Sequence, residues 1–291
     1  MNTKIDPKKI VLGTAQLGSN YGVMNRNNKN DRKNINLILE KAWEYGIRCF
    51  DTAPGYKSER LIGDFVKAHG LNDDIKVLTK VSSLNSINIG KEISKSIEIS
   101  IKNLNCPISV LFLHDPDDAK LLLKHQDMFI RLMEYFEIKD IGASVYDIET
   151  IHRLSEISIP LAFQYPMNFL DRRFENVKMN IGKRYARSIF LQGLLSSNFL
   201  TNKTIPTALV NLHKAYHEYA NHINLDPYSL ALSYIIHDNN TDFILIGIDN
   251  TQQLDDLFEA RLVEKDMIKN LHFNYTNINK KTLDPRNWMM D

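Results

Sequence analysis

The stretch Cys-Phe-Asp-Thr-Ala-Pro-Gly-Tyr-Lys-Ser-Glu (49–59) carries the signals of a strand, a turn and a helix start in immediate succession. It opens with a short apolar run, passes through Pro-Gly, and reaches Ser58, a residue type that often begins helices. Asp51 and Tyr56 lie at and just after the end of the apolar run. In parallel α/β proteins the loops that follow the strands converge on one open face, so we expect both side chains there.

The same alternation extends over most of the chain. Segments with helical spacing of apolar residues, such as 34–45, 91–104 and 250–263, separate short apolar runs. We predict eight strands, near residues 10–15, 48–52, 76–81, 109–115, 140–145, 160–165, 188–193 and 243–248. This pattern favours a closed (β/α)8 TIM barrel over an open doubly wound sheet. No linker-like tract interrupts it, so we predict a single domain over 1–291, with a last helix and an irregular C-terminal tail in 264–291.

The charge balance, the cysteine count and the apolar runs of the chain limit the classes of protein to which it can belong. Lys plus Arg number 36 and Asp plus Glu 35, so charge gives no reason to expect nucleic-acid or membrane binding. Only two cysteines are present, which favours a reducing compartment over a disulfide framework. No signal-peptide pattern opens the chain, and no apolar run approaches the ~18–20 residues that span a bilayer. We expect a cytoplasmic monomer or weak homo-oligomer that acts on a small molecule.

Two further polar residues follow the next two apolar runs, Lys80 and His114. Reducing a carbonyl requires a hydride donor and a proton for the developing alkoxide, and a tyrosine can supply that proton although its usual pKa is about 10. A nearby ammonium favours the phenolate, and a carboxylate can hold that ammonium in place. Tyr56, Lys80 and Asp51 fit these roles, and the His114 imidazole can orient the substrate. Singly, Asp51, Tyr56 and His114 have ordinary structural interpretations, whereas a lysine in an apolar strand is unusual.

The order and sequence context of these four residues resemble the aldo-keto reductases, whose tetrad is Asp, Tyr, Lys and His. The resemblance covers about residues 8–263 and implies that Asp51, Tyr56, Lys80 and His114 are catalytic, with NADP or NAD as cofactor. It implies cofactor contacts at Gly13, Thr14, Asp51, Ser144, Gln164, Arg187, Gly193, Leu195, Gly247, Asn250 and Gln253.

The sequence departs from the family pattern at three places. Val145 stands where an asparagine usually follows the fifth-strand serine, and Arg187 stands where an aromatic residue usually stacks on the nicotinamide, with Phe190 nearby. Asn250 and Gln253 occupy places where NADP-preferring members carry basic residues. A neutral amide cannot offset the charge of a 2′-phosphate, so we do not expect strict NADP preference.

Other chemistries remain open. A barrel metallohydrolase could use Asp51, His114 and a modified Lys80, and a Schiff-base aldolase could use Lys80 alone. A cofactor-sensing regulatory subunit is the non-enzymatic alternative, since potassium-channel β-subunits share this architecture. We expect no metal site, because the i,i+4 pair His213 and His217 has no evident third ligand and a solvated helix face explains it.

The resemblance is least specific about the substrate. The segments 187–195 and 283–288 resemble a bacterial branch associated with surface-polysaccharide sugar biosynthesis, and small aldehydes or ketones are the alternative. The tail contains Phe273, Tyr275 and Trp288, an unusual number of aromatic residues for a disordered end. The family's C-terminal loop commonly covers the barrel mouth, which predicts a pocket wall here; packing on the barrel flank is the other possibility.

Overall fold

Eight parallel strands close into a barrel in chain order, with β8 pairing with β1. The structure, a computed structural model, describes residues 4–18, 31–82, 84, 88–157, 159–177, 182–196, 205–273 and 278–288. The strands are β1 (Ile10–Gly13), β2 (Cys49–Asp51), β3 (Lys76–Val81), β4 (Ile108–Leu113), β5 (Asp140–Ser144), β6 (Leu161–Pro166), β7 (Arg184–Arg187) and β8 (Phe243–Gly247). This confirms the predicted (β/α)8 barrel.

The helices surround the barrel. They are α1 (Ala15–Gly18), α2 (Arg32–Glu44), α3 (Glu59–His69), α4 (Ile89–Leu104), α5 (Lys120–Lys124), α6 (Gln126–Phe136), α7 (Ile148–Leu154), α8 (Thr207–His222), α9 (Pro227–Ile236), α10 (Thr251–Glu259) and α11 (Lys265–Lys269). The helices predicted at 34–45 and 91–104 are α2 and α4, and the third ends earlier than predicted. Between β6 and β7 the described residues form turns instead of a helix. Within the described chain, no helix has the length and apolar character needed to cross a bilayer.

The seventh strand lies earlier in the chain than predicted. Residues 188–193 were expected to form it, whereas β7 is Arg184–Arg187. The physical reason is backbone conformation, because Ser188, Leu191 and Gln192 have φ of 60°, 46° and 51°, which is incompatible with a strand. Arginines at both ends of β7 gave it no apolar signature, so the apolar residues that follow were mistaken for the strand.

Two hydrophobic cores result from the closed sheet. The inner core fills the barrel and consists of Val11, Cys49, Leu78, Val110, Phe112, Ala162, Tyr185 and Leu245. The outer core lies between the barrel and its helices, and Cys106 belongs to it. Both cysteines are buried and unpaired.

The alternation of strand side chains places the polar residues directly above the inner core. Successive side chains of a strand point to opposite faces, so a residue two positions further along faces the same way. Inner-core positions on four strands are Cys49, Leu78, Ala162 and Tyr185. Two positions further, at the C-terminal ends of the same strands, lie Asp51, Lys80, Gln164 and Arg187. The barrel mouth therefore begins with a polar layer.

Candidate active site

A buried ion pair lies at the centre of the mouth. Lys80 Nζ is 2.7 Å from both carboxylate oxygens of Asp51 and donates to Thr52 O at 2.9 Å. The residues are only 1% and 4% exposed. Gln164 Nε2 donates to Asp51 Oδ1 at 2.8 Å. Buried charges are tolerated when they are paired and hydrogen-bonded, and each charge here satisfies the other.

Tyr56 ends a single 3₁₀ turn after β2, and polar contacts fix that turn. Ser58 begins α3 as predicted, but its hydroxyl does not cap the helix. Ser58 Oγ instead lies 2.8 Å from the hydroxyl oxygens of both Thr14 and Thr52. Gly18 packs directly on this turn, since a Cβ at Gly18 would overlap the carbonyl oxygen of Tyr56. These contacts hold the phenol over the mouth.

The four residues predicted to be catalytic come together. Lys80 Nζ lies 4.9 Å from the centroid of the Tyr56 ring. The ring of His114 is perpendicular to that of Tyr56, with centroids 5.8 Å apart. His114 Nδ1 is 3.1 Å from Ser82 Oγ, a contact that orients the imidazole. A phenol, an ammonium, a carboxylate and an imidazole thus meet around one point.

The electrostatics of Tyr56 differ from the sequence-based expectation. Burial raises the pKa of Tyr56, the charge of Asp51 raises it further, and Arg187 opposes the rise. We expected Lys80 to make the phenol more acidic. Lys80 stays charged but is paired with Asp51 at 2.7 Å, so burial dominates and the phenol holds its proton at neutral pH.

The imidazole is neutral as well. Burial lowers the pKa of His114 to about 4, with the charges of Lys80 and Arg187 acting in the same direction and those of Asp51 and Asp115 opposing them. At neutral pH His114 is therefore a neutral hydrogen-bonding group rather than a cation.

A cavity of about 470 Å³ opens beside Tyr56 and is lined in part by residues of β1 and β8. Among the predicted site residues, its lining includes Gly13, Asp51, Tyr56, Gln164, Arg187, Gly193, Gly247 and Gln253. Its volume falls within the range of small-molecule and cofactor sites.

Four residues predicted to contact a cofactor are not among the residues that line this cavity, namely Thr14, Ser144, Leu195 and the exposed Asn250. Thr14 is fully buried and its hydroxyl donates to Asp51 O at 2.8 Å. Ser144 and Leu195 are buried, and Asn250 Oδ1 caps α10 by accepting from Gln253 N at 3.1 Å. Cofactor contacts of these four side chains stay predictions.

The segment from Ser188 to Ser196 forms one wall of the cavity and is strongly curved. Its backbone N–H groups at 193–196 all donate within the segment, for example Gly193 N to Phe190 O and Ser196 N to Gly193 O, both at 2.9 Å. A hydrogen bond from this segment to a cofactor, with contacts predicted at Gly193 and Leu195, therefore requires side chains such as Ser196 or a rearrangement of these bonds.

Sequence reasoning missed several lining residues. Gln16 lies over Gly247, where a Cβ would overlap its side chain, and Tyr228 stacks on Phe190 with centroids 4.6 Å apart. Asp249 lines the far end, and its Oδ1 is buried without a hydrogen-bond partner in the described chain. The position of Asp249 just after β8 was a usable signal; the other contacts depend on packing between distant segments.

The tail reaches the mouth through Arg286. The guanidinium carbon of Arg286 lies 3.2 Å from the centroid of the Tyr146 ring, and that of Arg187 lies 4.3 Å from it. Trp288 packs on the outer core, and its Nε1 donates to Thr282 O at 2.9 Å.

Phe273, a second aromatic residue of the tail, packs against other aromatic rings. The Phe273 ring contacts Phe169 and Tyr219, with centroids 5.8 and 5.0 Å apart. Tyr275 is outside the described residues.

The histidine pair on α8 does not lie on the solvated helix face that we predicted, because His213 is only 5% exposed and His217 is half-buried. The rings of His213 and His217 are 3.9 Å apart, and His213 Nδ1 is 2.7 Å from Leu194 O. In the portion of the chain that the structure describes, no group of three or more His, Cys, Asp or Glu side chains could hold a metal ion.

Comparison with known proteins places this site in context. The sequence profile of the aldo/keto reductase family matches residues 9–272. The aldo-keto reductase YhdN of Bacillus subtilis is 26% identical over 212 residues, covering 69% of this chain and 62% of YhdN. A Schizosaccharomyces pombe protein named as a voltage-gated potassium channel β-subunit is 26% identical over 193 residues, covering 60% of this chain and 56% of that protein. The alignments thus span less than two thirds of either relative.

Solved structures share the fold. The glycerol dehydrogenase AKR11B4 of Gluconobacter oxydans has a TM-score of 0.68 at 20% identity, covering 90% of this chain and 89% of its own. The holo form of aldo-keto reductase AKR11C1 from Bacillus halodurans has a TM-score of 0.70 at 19% identity, covering 90% of both chains.

Proposed function

Since the chain belongs to the aldo/keto reductase family, we propose that it is an NAD(P)H-dependent oxidoreductase that reduces an aldehyde or ketone to an alcohol. The observation that carries this proposal is the position of Tyr56. Its protonated phenol lies over the buried Lys80–Asp51 pair, beside neutral His114, and borders the cavity.

The proposed reaction assigns one task to each group. When bound, the reduced nicotinamide supplies a hydride, which forms the new C–H bond at the carbonyl carbon. The electron pair of the C=O π bond moves to oxygen, and Tyr56 donates its proton there. Lys80 stabilises the phenolate left behind, and Tyr56 then regains a proton from solvent. Asp51 keeps Lys80 charged and in place.

His114 is proposed to position the carbonyl oxygen. Its Nδ1 faces the Ser82 hydroxyl at 3.1 Å, and if the hydroxyl donates, the imidazole proton resides on Nε2. A neutral Nε2–H can then donate a hydrogen bond to the same oxygen that receives the proton from Tyr56. Because burial lowers its pKa to about 4, this role persists across the neutral range.

The cavity residues fit a dinucleotide. Gln164 lies beside Asp51 at the catalytic end and would hold the carboxamide of the nicotinamide. Gly13 lines the cavity without a side chain, and the side chain of Gln16 lies over Gly247. At the far end, the buried Asp249 Oδ1 without a partner in the described chain could accept a hydrogen bond from a ribose hydroxyl.

The substrate class is proposed more broadly. A small aldehyde or ketone, or a sugar derivative, fits an open mouth bordered by polar residues, and a glycerol dehydrogenase shares this fold. A regulatory subunit with slow turnover is the second candidate, favoured by the similarity to the S. pombe protein. The rate of carbonyl reduction distinguishes the reductase from the regulatory subunit.

Tyr56→Phe is the test, because it removes the proton and keeps the ring. We expect turnover in NADH- or NADPH-dependent aldehyde reduction to fall by about 10²–10⁴. Tyr135→Phe, at an exposed position on α6, is the matched control and should leave turnover unchanged. Titration of cofactor fluorescence should give nearly equal affinities for all three proteins. Failure of the wild type to bind either cofactor would overturn the oxidoreductase proposal; binding without turnover would favour the regulatory subunit.

A further inference from the structure

Arg187 differs from the other arginines around the mouth in its charge partners. Arg173 Nε and Nη2 each lie 2.8 Å from carboxylate oxygens of Asp171. Arg286 Nη2 lies 2.6 Å from Asp284 Oδ2. Among the described residues, no carboxylate forms an ion pair with Arg187, whereas its two neighbours are both paired in this way.

The hydrogen bonds of Arg187 are incomplete as well. Its Nη2 is shielded from solvent and has no hydrogen-bond partner in the described chain. Among the described residues, its Nη1 makes only a long contact of 3.4 Å to Ser188 Oγ. A charged donor that has lost water without gaining a partner is unfavourable, so an acceptor brought by a ligand would stabilise it.

Arg187 is also close to the reacting groups. It lines the same cavity as Tyr56 and Gln164, and its charge lowers the pKa of His114 and opposes the rise in the pKa of Tyr56. Its guanidinium lies over the ring of Tyr146. Stacking on a ring leaves the in-plane donors of a guanidinium available, and that planar fork matches two oxygens of a carboxylate or phosphate.

The other charged or titratable groups of the mouth are not available to bind an anionic group of a ligand. Lys80 is saturated by Asp51 and Thr52, and His114 is neutral. The negative charge of Asp115 opposes the effect of Lys80 and Arg187 on the pKa of His114. Asp115 Oδ1 accepts from Asp117 N at 3.0 Å within its own turn.

Arg187 also opposes the rise in the pKa of Asp171 and lowers the pKa of Asp284, but those carboxylates form their ion pairs with Arg173 and Arg286. Within the described residues, the guanidinium of Arg187 therefore lies beside the proton donor without an ion-pair partner of its own.

We propose that Arg187 recognises an oxoanion, a carboxylate or a phosphate ester, carried by the carbonyl substrate. The substrate is accordingly an anionic aldehyde or ketone whose charged group binds at β7 while its carbonyl faces Tyr56. This inference rests on the proposed reductase function and adds to it the charge of the substrate.

Matched aldehydes test the proposal. The first pair is 3-carboxybenzaldehyde and 3-carbamoylbenzaldehyde, which have nearly the same shape and differ in charge. The second pair is glyceraldehyde 3-phosphate and glyceraldehyde. We expect the wild type to favour the anionic member of at least one pair by about 10- to 100-fold in kcat/KM, the range of one or two hydrogen bonds to a charged group.

Substitutions then locate the preference. Arg187→Met should abolish it, whereas Arg187→Lys should keep part of it, because lysine retains the charge and lacks the fork. Arg153→Met is the matched control, since it removes the same charge from an exposed site on α7 and should retain the full preference. The ratio within each pair is the readout, so any general loss of turnover in an Arg187 variant cancels.

The outcomes separate the two proposals. Preference for only the carboxylate or only the phosphate identifies which oxoanion is bound. Reduction of the neutral aldehydes with no preference for either anion overturns the role of Arg187 and leaves the reductase function standing. No reduction of any of the four by the wild type overturns both. If Arg187→Met weakens NADH binding in a fluorescence titration and keeps the wild-type preference, Arg187 contacts the cofactor and the proposal is wrong.

Discussion

Replacing Lys80 by methionine tests the central ion pair of the barrel mouth. Methionine has a similar length and no charge, so the change removes both 2.7 Å contacts to Asp51 and the 2.9 Å bond to Thr52 O. It leaves a carboxylate that is 4% exposed with Gln164 Nε2 as a remaining hydrogen-bond donor. Breaking a buried pair by removing one partner costs about 3–5 kcal/mol.

For a chain of this size, 1 kcal/mol corresponds to roughly 2 °C in the midpoint of thermal unfolding, so we expect Lys80→Met to lower Tm by roughly 6–10 °C. Circular dichroism during heating is the assay. Arg153→Met is the control, because its pair with Glu149 spans 3.8 Å at exposures of 66% and 81%, and its loss should cost less than about 0.5 kcal/mol.

A second variant shows whether Lys80→Met loses stability because it leaves an unpaired buried charge or because it packs less well. Lys80→Met combined with Asp51→Leu removes the charge that the single variant leaves buried, so the double variant should be more stable than Lys80→Met alone. Equal Tm values for Lys80→Met and Arg153→Met would refute the reasoning, because they would mean that solvent already screens the pair.

Three further outcomes follow from the site. NADH should bind at least as tightly as NADPH, because the carboxylates of Asp249 and Asp256 line the cavity together with neutral Gln253 and would disfavour a 2′-phosphate. An NADPH preference above about tenfold, or about 1.4 kcal/mol, in fluorescence titrations would contradict this. The kcat/KM for carbonyl reduction should be flat between about pH 5 and 8, because the pKa of His114 is lowered to about 4 and the imidazole stays neutral throughout. An inflection near pH 6.5 would show that the imidazole is solvated. Truncation after residue 272 removes the contact of Arg286 with Tyr146 and should lower kcat/KM while cofactor binding is retained; an unchanged kcat/KM would exclude the tail from the pocket.

The fold and the meeting of the tetrad were predictable because both depend on local patterns. Strand ends in a parallel barrel converge on one face, so Asp51 and Lys80 could be placed together from the positions of two apolar runs. The start of α7 also depends on a local pattern. Asp147 is of a residue type that often caps helices, and its Oδ1 accepts from Thr150 N at 2.7 Å.

The errors arose where non-local structure decides. Leu191 and Gln192 adopt positive φ without being glycine, and such conformations leave no sequence signal. The raised pKa of Tyr56 depends first on burial and then on the charge of Asp51, and the extent of burial cannot be read from a motif. Arg187 could be found from the family resemblance, but its lack of an ion-pair partner among the described residues is visible only once the surrounding arginines are seen to be paired.

The two buried thiols divide between the two cores, and this makes them natural reporters of how the barrel opens. Cys49 lies inside the barrel at 6% exposure, and Cys106 lies between barrel and helices at 4%. Burial raises the pKa of each thiol to about 12, so neither reacts with an alkylating reagent while it stays enclosed. With only two cysteines in the chain, the labelling rate of each measures one opening event. Faster labelling of Cys106 than of Cys49 would mean that the helical layer detaches while the cylinder of strands stays closed.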